Sequence, residues 1–239
     1  MSDTPRTDQQ VRFWNDWNAS NRERTLAEIS LRQQRVVTHW LDQLHAADLR
    51  ILDVGCGAGW LSSALDRYGT VTGVDLADEV IARARTRYPS ATFVAGDFTH
   101  LTFDPNVFDV VVALEVLSHV ADQAAFVAKL ASHLPPGGLL MLATQNRPVL
   151  ENYNRIPPPA PGQIRRWVDK TELAALLAPH FDVVELFSVT PIGRRGLMRV
   201  VNSHKVNAPI RALVGDRLDR LKERFGLGWT LMCLARRRA

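Results

Sequence analysis

A short apolar run followed by three spaced glycines most constrains what this chain can fold into. Residues Leu49–Val54 predict a buried strand, Gly55, Gly57 and Gly59 follow at once, and residues 61–68 predict a helix. A strand, a glycine-rich turn and a helix open the nucleotide-binding unit of parallel α/β folds. Glycine suits such a turn because it adopts backbone angles that a β-carbon obstructs and lets a ligand approach the main chain.

The residues around these glycines disfavour a dinucleotide. The dinucleotide fingerprint needs Gly or Ala where the helix packs on the strand, and Trp60 stands there instead. Asp53 would repel a phosphate, whereas a carboxylate suits the amine of S-adenosylmethionine. The pattern Asp-x-Gly-x-Gly-x-Gly that begins at Asp53 resembles motif I of the class I S-adenosylmethionine-dependent methyltransferases. We therefore expect the loop, including Cys56, to bind this cofactor.

Acidic residues close the next two predicted strands, where the nucleoside would lie. Asp75 stands about 20 residues after the glycine loop, where an acid binds the ribose hydroxyls. Leu76 is then expected to lie against the adenine. The resemblance implies that Asp97 accepts a hydrogen bond from the adenine amino group and that Phe98 stacks near the ring. It also implies a main-chain contact from Leu114 to the cofactor.

Strands alternate with helices along the rest of the chain. The further strands are predicted at 71–74, 92–95, 108–113, 139–143, 181–189 and 229–235. This alternation predicts an α/β fold, a Rossmann-like doubly wound sheet of seven strands. The resemblance implies that the last strand is antiparallel. Asp78 and Asp169 are predicted to cap the helices that follow them.

The chain divides into four predicted parts. They are an N-terminal helical cap over 1–47, a methyltransferase core over 48–189, a basic helical insertion over 190–227, and the last strand with a basic tail over 228–239. The insertion holds nine basic and three acidic residues, whereas the whole chain has a net charge of +4. Its role is open between packing on the core, an acceptor lid, a dimer contact and attachment to an anionic membrane surface.

The composition indicates in which cellular compartment the protein is expected. Cys56 and Cys233 suggest no disulfide framework, the polar N-terminus lacks a signal-peptide pattern, and no apolar run could span a bilayer. We expect a soluble cytoplasmic monomer or homodimer, with peripheral membrane contact as an alternative. No His or Cys spacing suggests zinc, so no metal is expected.

Later motifs resemble the ubiquinone and menaquinone biosynthesis methyltransferases. After the fourth strand the chain has Ser118-His119-Val120, where that group usually has Glu-His-Val, and Asn146-Arg147 also fits the group. The resemblance covers roughly residues 30–190 and is specific for cofactor and fold, but only loosely for the acceptor. It makes Arg35 a candidate for the carboxylate of the cofactor's methionine part. Arg32 is a rival, and a solvated helix arginine is the alternative.

His119 is the candidate general base. An imidazole titrates near neutrality and could take a proton from a hydroxyl as the methyl group arrives. Glu115 lies four residues earlier and would orient it if that stretch is helical. The alternative is a structural histidine that caps a helix or bonds to main chain.

Aromatic and polar residues outside the motifs are candidates for binding the acceptor. Trp14 and Trp17 line the pocket or pack within the cap, and Asn146 is expected to face the acceptor. The proline-rich residues 156–162 form either a rigid linker or a lid edge. The side chains that would accompany that lid are Tyr153, Arg165, Arg166 and Trp167.

These observations predict a methyltransferase that acts on a small molecule, by O-methylation of a phenolic, quinone-like or natural-product scaffold. The Asp/Asn-Pro-Pro-aromatic motif of nucleobase methylases is absent after the fourth strand, so nucleic acid is not the expected partner. The alternatives are C- or N-methylation of a small molecule, RNA-directed methylation through the basic insertion, and a cofactor-binding enzyme or subunit that does not methylate.

Overall fold

A seven-stranded sheet forms the centre of the molecule in the computed structural model, which describes residues 5–22, 28–104, 108–193, 195, 223 and 225–239. The strands are β1 Leu49–Val54, β2 Gly69–Asp75, β3 Thr92–Ala95, β4 Val110–Leu114, β5 Leu139–Gln145, β6 Phe181–Val189 and β7 Thr230–Arg237. Their order is β3-β2-β1-β4-β5-β7-β6, and β7 alone runs antiparallel to both of its neighbours. The predicted fold, with its antiparallel last strand, is confirmed.

Seven α-helices accompany the sheet in the described residues. They are α1 Thr7–Trp17, α2 Glu28–Leu44, α3 Ser62–Leu65, α4 Asp78–Arg87, α5 Gln123–Ser132, α6 Arg147–Tyr153 and α7 Lys170–Leu177. A π-helical turn follows α1 at Asn18–Arg22, and 3-10 turns cover Asp66–Tyr68 and Leu117–His119. None of the helices described is long and apolar enough to cross a membrane.

The central strands are apolar along their whole length because helices cover both faces of the sheet. Alternate side chains of β4 enter two separate cores, with Val111 on one face and Val112 on the other. Helices α5 and α7 close the first core through Phe126 and Leu173, and α2 closes the second through Trp40. Full burial of such side chains contributes roughly 1.5–3 kcal/mol each.

The strand order places the candidate site. Strands β1 and β4 are neighbours, but the chain leaves β1 toward β2 on one side and leaves β4 toward β5 on the other. Loops that diverge in this way open a crevice at the carboxyl ends of parallel strands, where ligands bind in doubly wound sheets. The glycine loop after β1 forms one edge of that crevice.

Some predicted boundaries need correction. A continuous helix over 61–68 is replaced by α3 and a 3-10 turn. Asp78 is the first residue of α4, whose N-cap is Ala77, and its carboxylate instead accepts a bond from Asn15 Nδ2 at 3.1 Å. Asp169 caps α7 as predicted, since its side chain accepts from Glu172 N at 2.9 Å.

The N-terminal helices pack on the core. Besides the bond from Asn15 to Asp78, α2 reaches the sheet through Trp40 Nε1, which donates to Glu185 Oε2 at 3.3 Å. The helix predicted within the basic insertion lies outside the described residues. The division into four parts stays a prediction.

Gly69 and Gly137 both have positive φ, but only Gly69 is also closely packed. A β-carbon on Gly69 (φ 153°) would lie 2.0 Å from the carbonyl oxygen of Leu49, whereas one on Gly137 (φ 83°) would meet nothing within 4 Å. We predict that Gly69→Ala lowers the free energy of unfolding by about 3 kcal/mol, and Gly137→Ala by only about 1 kcal/mol. Urea denaturation measures both, and equal losses would contradict the packing argument.

Candidate active site

The glycine loop is bound to the end of the neighbouring strand β2. Gly55 N and Cys56 N donate to Val74 O at 2.7 and 3.0 Å, and Gly57 N donates to Asp75 Oδ2 at 2.8 Å. The other carboxylate oxygen of Asp75 accepts from Ala77 N at 2.9 Å. The loop and the acidic side chain are therefore fixed relative to each other.

The three glycines of the loop have different physical roles. All have positive φ, but a β-carbon on Gly55 would lie 2.1 Å from Val116 Cγ2 and one on Gly59 would lie 2.8 Å from the Tyr88 ring. A β-carbon on Gly57 would lie 3.2 Å from Asn18 Oδ1. Gly59 thus permits close packing behind the loop, while Gly57 faces the helical cap.

A cavity of about 830 Å³ lies beside this loop. Most of the predicted cofactor residues line it: Gly55, Gly57, Asp75, Leu76, Asp97, Phe98 and Leu114. Its lining also includes the predicted acceptor-side residues Trp14, Trp17, His119 and Trp167. A volume of this size is typical of a pocket for a cofactor or a drug-sized molecule.

Three of the predicted cofactor residues in the motif lie behind the cavity wall. Asp53 is 3% exposed and does not line the cavity, because side chains alternate along β1 and Val54 occupies the cavity side. Cys56 packs its side chain against Ile81 and Phe93, and burial raises the pKa of its thiol well above the usual value. With Gly59, these residues shape the loop from behind.

The candidates for the methionine carboxylate do not reach the cavity. Arg35 is exposed on α2 and does not contribute to the lining, so its predicted role is not supported. Its rival Arg32 forms an ion pair with Glu223 at 2.8 Å. Neither arginine lines the cavity, to which α2 contributes Ile29, Ser30 and Gln33.

Two predicted acceptor residues, Asn146 and Tyr153, do not line the cavity. Asn146 is buried, and its Nδ2 donates to the carbonyl oxygens of Gly226 and Gly228 at 2.9 and 2.8 Å, which fixes the chain before β7. Tyr153 ends α6 outside the cavity lining, and its carbonyl oxygen accepts from Arg195 N at 3.0 Å. The predicted contact of each with the acceptor is therefore not supported.

Asp97 is held by its own turn. Its Oδ1 accepts from Thr99 N at 2.9 Å and from Thr99 Oγ1 at 2.7 Å, and its Oδ2 lies 3.3 Å from His100 Nδ1. His100 also lines the cavity, although the sequence assigns it no role. Phe98 packs edge-to-face on Phe126 with ring centroids 5.7 Å apart, so it belongs to the core as well as to the cavity wall.

His119 ends a 3-10 turn at the other half of the cavity. Its Nδ1 lies 2.8 Å from Ile164 O, and because a carbonyl can only accept, Nδ1 carries the proton and Nε2 has a free lone pair. The Trp14 ring meets the imidazole edge-to-face at 4.7 Å. Burial is the main cause that lowers the pKa of His119 to about 4, so the ring is neutral at neutral pH.

Glu115 does not orient His119 as predicted. The stretch between them is not α-helical, and Glu115 itself has φ 63°. Its Oε1 accepts from Gln33 Nε2 at 2.5 Å and from Thr230 Oγ1 at 3.0 Å, which ties the loop after β4 to α2 and β7. The hydroxyl of Ser118, which replaces a glutamate of the related motif, donates to Gln145 Oε1.

Several lining residues were not predicted from the sequence. They are Gln33, Trp60, His100, Gln145, Gln163 and Trp229. Arg165, a predicted side chain of the possible lid edge, also lines the cavity. They come from separate segments that no local pattern connects. Within the described ranges, no group of three His, Cys, Asp or Glu side chains could hold a metal ion.

Comparison with known proteins confirms the predicted resemblance. A family model described as a methyltransferase domain matches residues 52–142. A ubiquinone biosynthesis O-methyltransferase from Xanthomonas euvesicatoria is 37% identical over 139 residues, which are 55% of this chain and 56% of that protein. The chain spans about half the length of the curated relatives it matches, 41–56% of the first two.

Solved structures share the fold at low sequence identity. The N-methyltransferase NodS from Bradyrhizobium japonicum, in complex with S-adenosylhomocysteine, aligns over 97% of this chain and 100% of that one, with 15% identity and a TM-score of 0.67. The [4+2]-cyclase SpnF aligns over 86% of this chain and 82% of its own, with 19% identity and a TM-score of 0.59. Residues 52–142 thus match a methyltransferase-domain model, and the chain shares its seven-stranded fold with solved proteins that include an S-adenosylhomocysteine-bound N-methyltransferase.

Proposed function

We propose that the protein transfers a methyl group from S-adenosylmethionine to an oxygen of a small phenolic or quinone-like acceptor. The observation that carries the proposal is a single cavity with two chemically different halves. Asp75 and Asp97 line one half beside the glycine loop, and His119 lines the other with Trp14. Such a cavity can hold a nucleoside and an aromatic acceptor next to each other.

The cofactor half fits the chemistry of S-adenosylmethionine. The carboxylate of Asp75 is fixed by Gly57 N and Ala77 N and lies in the cavity wall, where a carboxylate can accept a bond from a ribose hydroxyl. Leu76 and Phe98 offer apolar surface for the adenine, and Asp97 offers an acceptor for its amino group. When bound, the cofactor supplies a methyl group on a positively charged sulfur.

The acceptor half would orient the attacking oxygen and receive its proton. Trp14 and Trp17 present flat surfaces to an aromatic ring, and orientation alone is worth up to about 7–11 kcal/mol in favourable cases. His119 Nε2 accepts the proton of the acceptor hydroxyl, which leaves as the carbon–oxygen bond forms. A base with a pKa of about 4 suffices late in this step, because the acceptor oxygen becomes strongly acidic while it holds both its proton and the incoming methyl group.

The choice of oxygen over nitrogen or carbon is supported by the curated relatives, which are named O-methyltransferases. A concave cavity lined by several tryptophans favours a small aromatic molecule over RNA. A solved cyclase shares this fold, and a fold alone does not decide the reaction. A reaction without methyl transfer is therefore the alternative.

The direct test is an activity screen of the full chain with S-adenosylmethionine and a panel of phenols, catechols and hydroquinones. We expect one acceptor to gain the mass of a methylene group in step with S-adenosylhomocysteine production, and fragmentation should locate the methyl on oxygen. Product formed without S-adenosylhomocysteine would indicate the non-methylating alternative, and methyl on nitrogen or carbon would correct the acceptor atom.

Asp75 provides the sharpest test of cofactor binding. We predict that Asp75→Ala weakens S-adenosylhomocysteine binding by about a hundredfold or more, because charge-assisted hydrogen bonds to the ribose and to the loop are both lost. Calorimetry measures the affinity. The control is Glu79→Gln, an exposed acid nearby that does not line the cavity. Equal affinity in Asp75→Ala and wild type would refute the assignment.

The state of His119 predicts how stability depends on pH. Its pKa is lowered from 6.5 to about 4 in the fold, so the unfolded chain binds more protons between these values. Stability contributed by neutral His119 is complete above about pH 6.5 and is lost as the pH falls toward 4. We predict that His119→Gln reduces the stability difference between pH 7 and pH 5 by about 2 kcal/mol.

Urea denaturation at the two pH values measures this difference. His39→Gln is the matched control, since His39 is exposed on α2. His133, whose pKa burial also lowers, is present in every variant, so its contribution cancels in the comparison. An unchanged pH dependence in His119→Gln would show that the imidazole is not held neutral.

A further inference from the structure

Arg165 is a positively charged side chain built into the acceptor half of the cavity wall. It belongs to the segment between α6 and α7, and its two terminal nitrogens donate to Pro157 O at 2.5 Å and to Gln163 Oε1 at 3.0 Å. The guanidinium lies over the Trp167 ring, 5.1 Å from the ring centroid. These contacts hold the charged group in place before any ligand arrives.

The partners of Arg165 in the part of the chain described here are all neutral. No carboxylate of these residues lies within 4 Å of its guanidinium, whereas the nearby Arg147 has two. Partial burial lowers the pKa of Arg165, as expected for a cation that has lost water without gaining a counter-ion. A half-buried cation in this state favours an anion beside it.

The position of Arg165 assigns that anion to the acceptor. The preceding residue, Ile164, accepts the bond from His119 Nδ1 at 2.8 Å, and the positive charge of Arg165 contributes to the low pKa of His119. The cofactor half is instead formed by the loops after β1, β2 and β3, where Asp75 and Asp97 bring negative charge. Glu115 and Asp122 also line the cavity near His119, and their carboxylates accept bonds from Gln33, Thr230 and Ala125 N. Arg165 adds a positive charge to this side of the cavity.

We propose that Arg165 binds an anionic oxygen group of the acceptor, so that the substrate is an aromatic hydroxy acid. The inference rests on the proposed function and names the substrate class for the same site. A carboxylate fits best, because the guanidinium has N–H donors beyond the two bonds described and can bind two oxygens side by side. Trp14 and Trp167 would flank the ring, with the hydroxyl toward His119.

The test compares acids with their amides at the S-adenosylhomocysteine-bound protein. The probes are hydroxylated benzoates, phenylacetates and naphthoates, each titrated by calorimetry beside the neutral amide of the same skeleton. We expect the affinity of at least one acid to exceed that of its amide about tenfold or more. A difference of this size corresponds to one charge-assisted hydrogen bond. Arg165→Gln should abolish that preference, and Arg165→Lys should retain part of it.

The matched control is the neighbouring Arg166→Gln. Arg166 is exposed, does not line the cavity, and donates to the carbonyl oxygen of Ala121. It should keep the preference for the acid. Arg165→Gln should also leave the affinity for S-adenosylhomocysteine unchanged, since the proposal assigns the charge to the acceptor.

Each other outcome overturns the proposal in a distinguishable way. No preference for any acid in the wild type, or a preference that survives in Arg165→Gln, removes the role of Arg165 while leaving the proposed function intact. A tenfold loss of S-adenosylhomocysteine affinity in Arg165→Gln would assign the side chain to the cofactor's own carboxylate. Failure of the wild type to bind S-adenosylhomocysteine would remove the proposed function and this inference with it.

Discussion

The bond from Gly57 N to Asp75 Oδ2 joins the two sequence motifs on which the site depends. It is 2.8 Å long and links the loop after β1 to the end of β2. The loop adopts positive φ at its three glycines, and backbone donors on both carboxylate oxygens help hold Asp75 toward the cavity. Parallel pairing of β1 with β2 brings the two together, so the sheet register positions the cofactor half.

The acceptor half depends on contacts between distant segments. The loop after β4 is held in place through Glu115, which accepts from Gln33 on α2 and from Thr230 on β7. The positive φ of Glu115 is unfavourable for a residue with a β-carbon, and these bonds offset that strain. His119 lies four residues later, and it is positioned by this loop and by its hydrogen bond to Ile164 O.

Local patterns placed most of the candidate site residues on the cavity wall, but they did not find side chains that reach it only through tertiary packing. A continuous apolar run followed by glycines predicts β1 and its loop. Asp75 and Asp97 follow predicted strands, and the carboxyl ends of neighbouring parallel strands meet at one edge of the sheet. No such periodicity marks Arg165 or Gln33, which reach the cavity only through tertiary packing. Asn146 is a motif residue that was predicted to face the acceptor. Its side chain instead donates to the backbone carbonyl oxygens before β7.

Preorganisation distinguishes the acceptor half from a passive apolar pocket. The imidazole of His119 is oriented by Ile164 O, and the guanidinium of Arg165 by Gln163 and the Trp167 ring, so protein contacts hold each polar group in place. Groups fixed in this way need little reorganisation when charge develops on the acceptor. Burial of the imidazole also lowers its pKa to about 4 and keeps His119 neutral at neutral pH. The packing that positions the imidazole and the burial that sets its protonation state are therefore consequences of one arrangement.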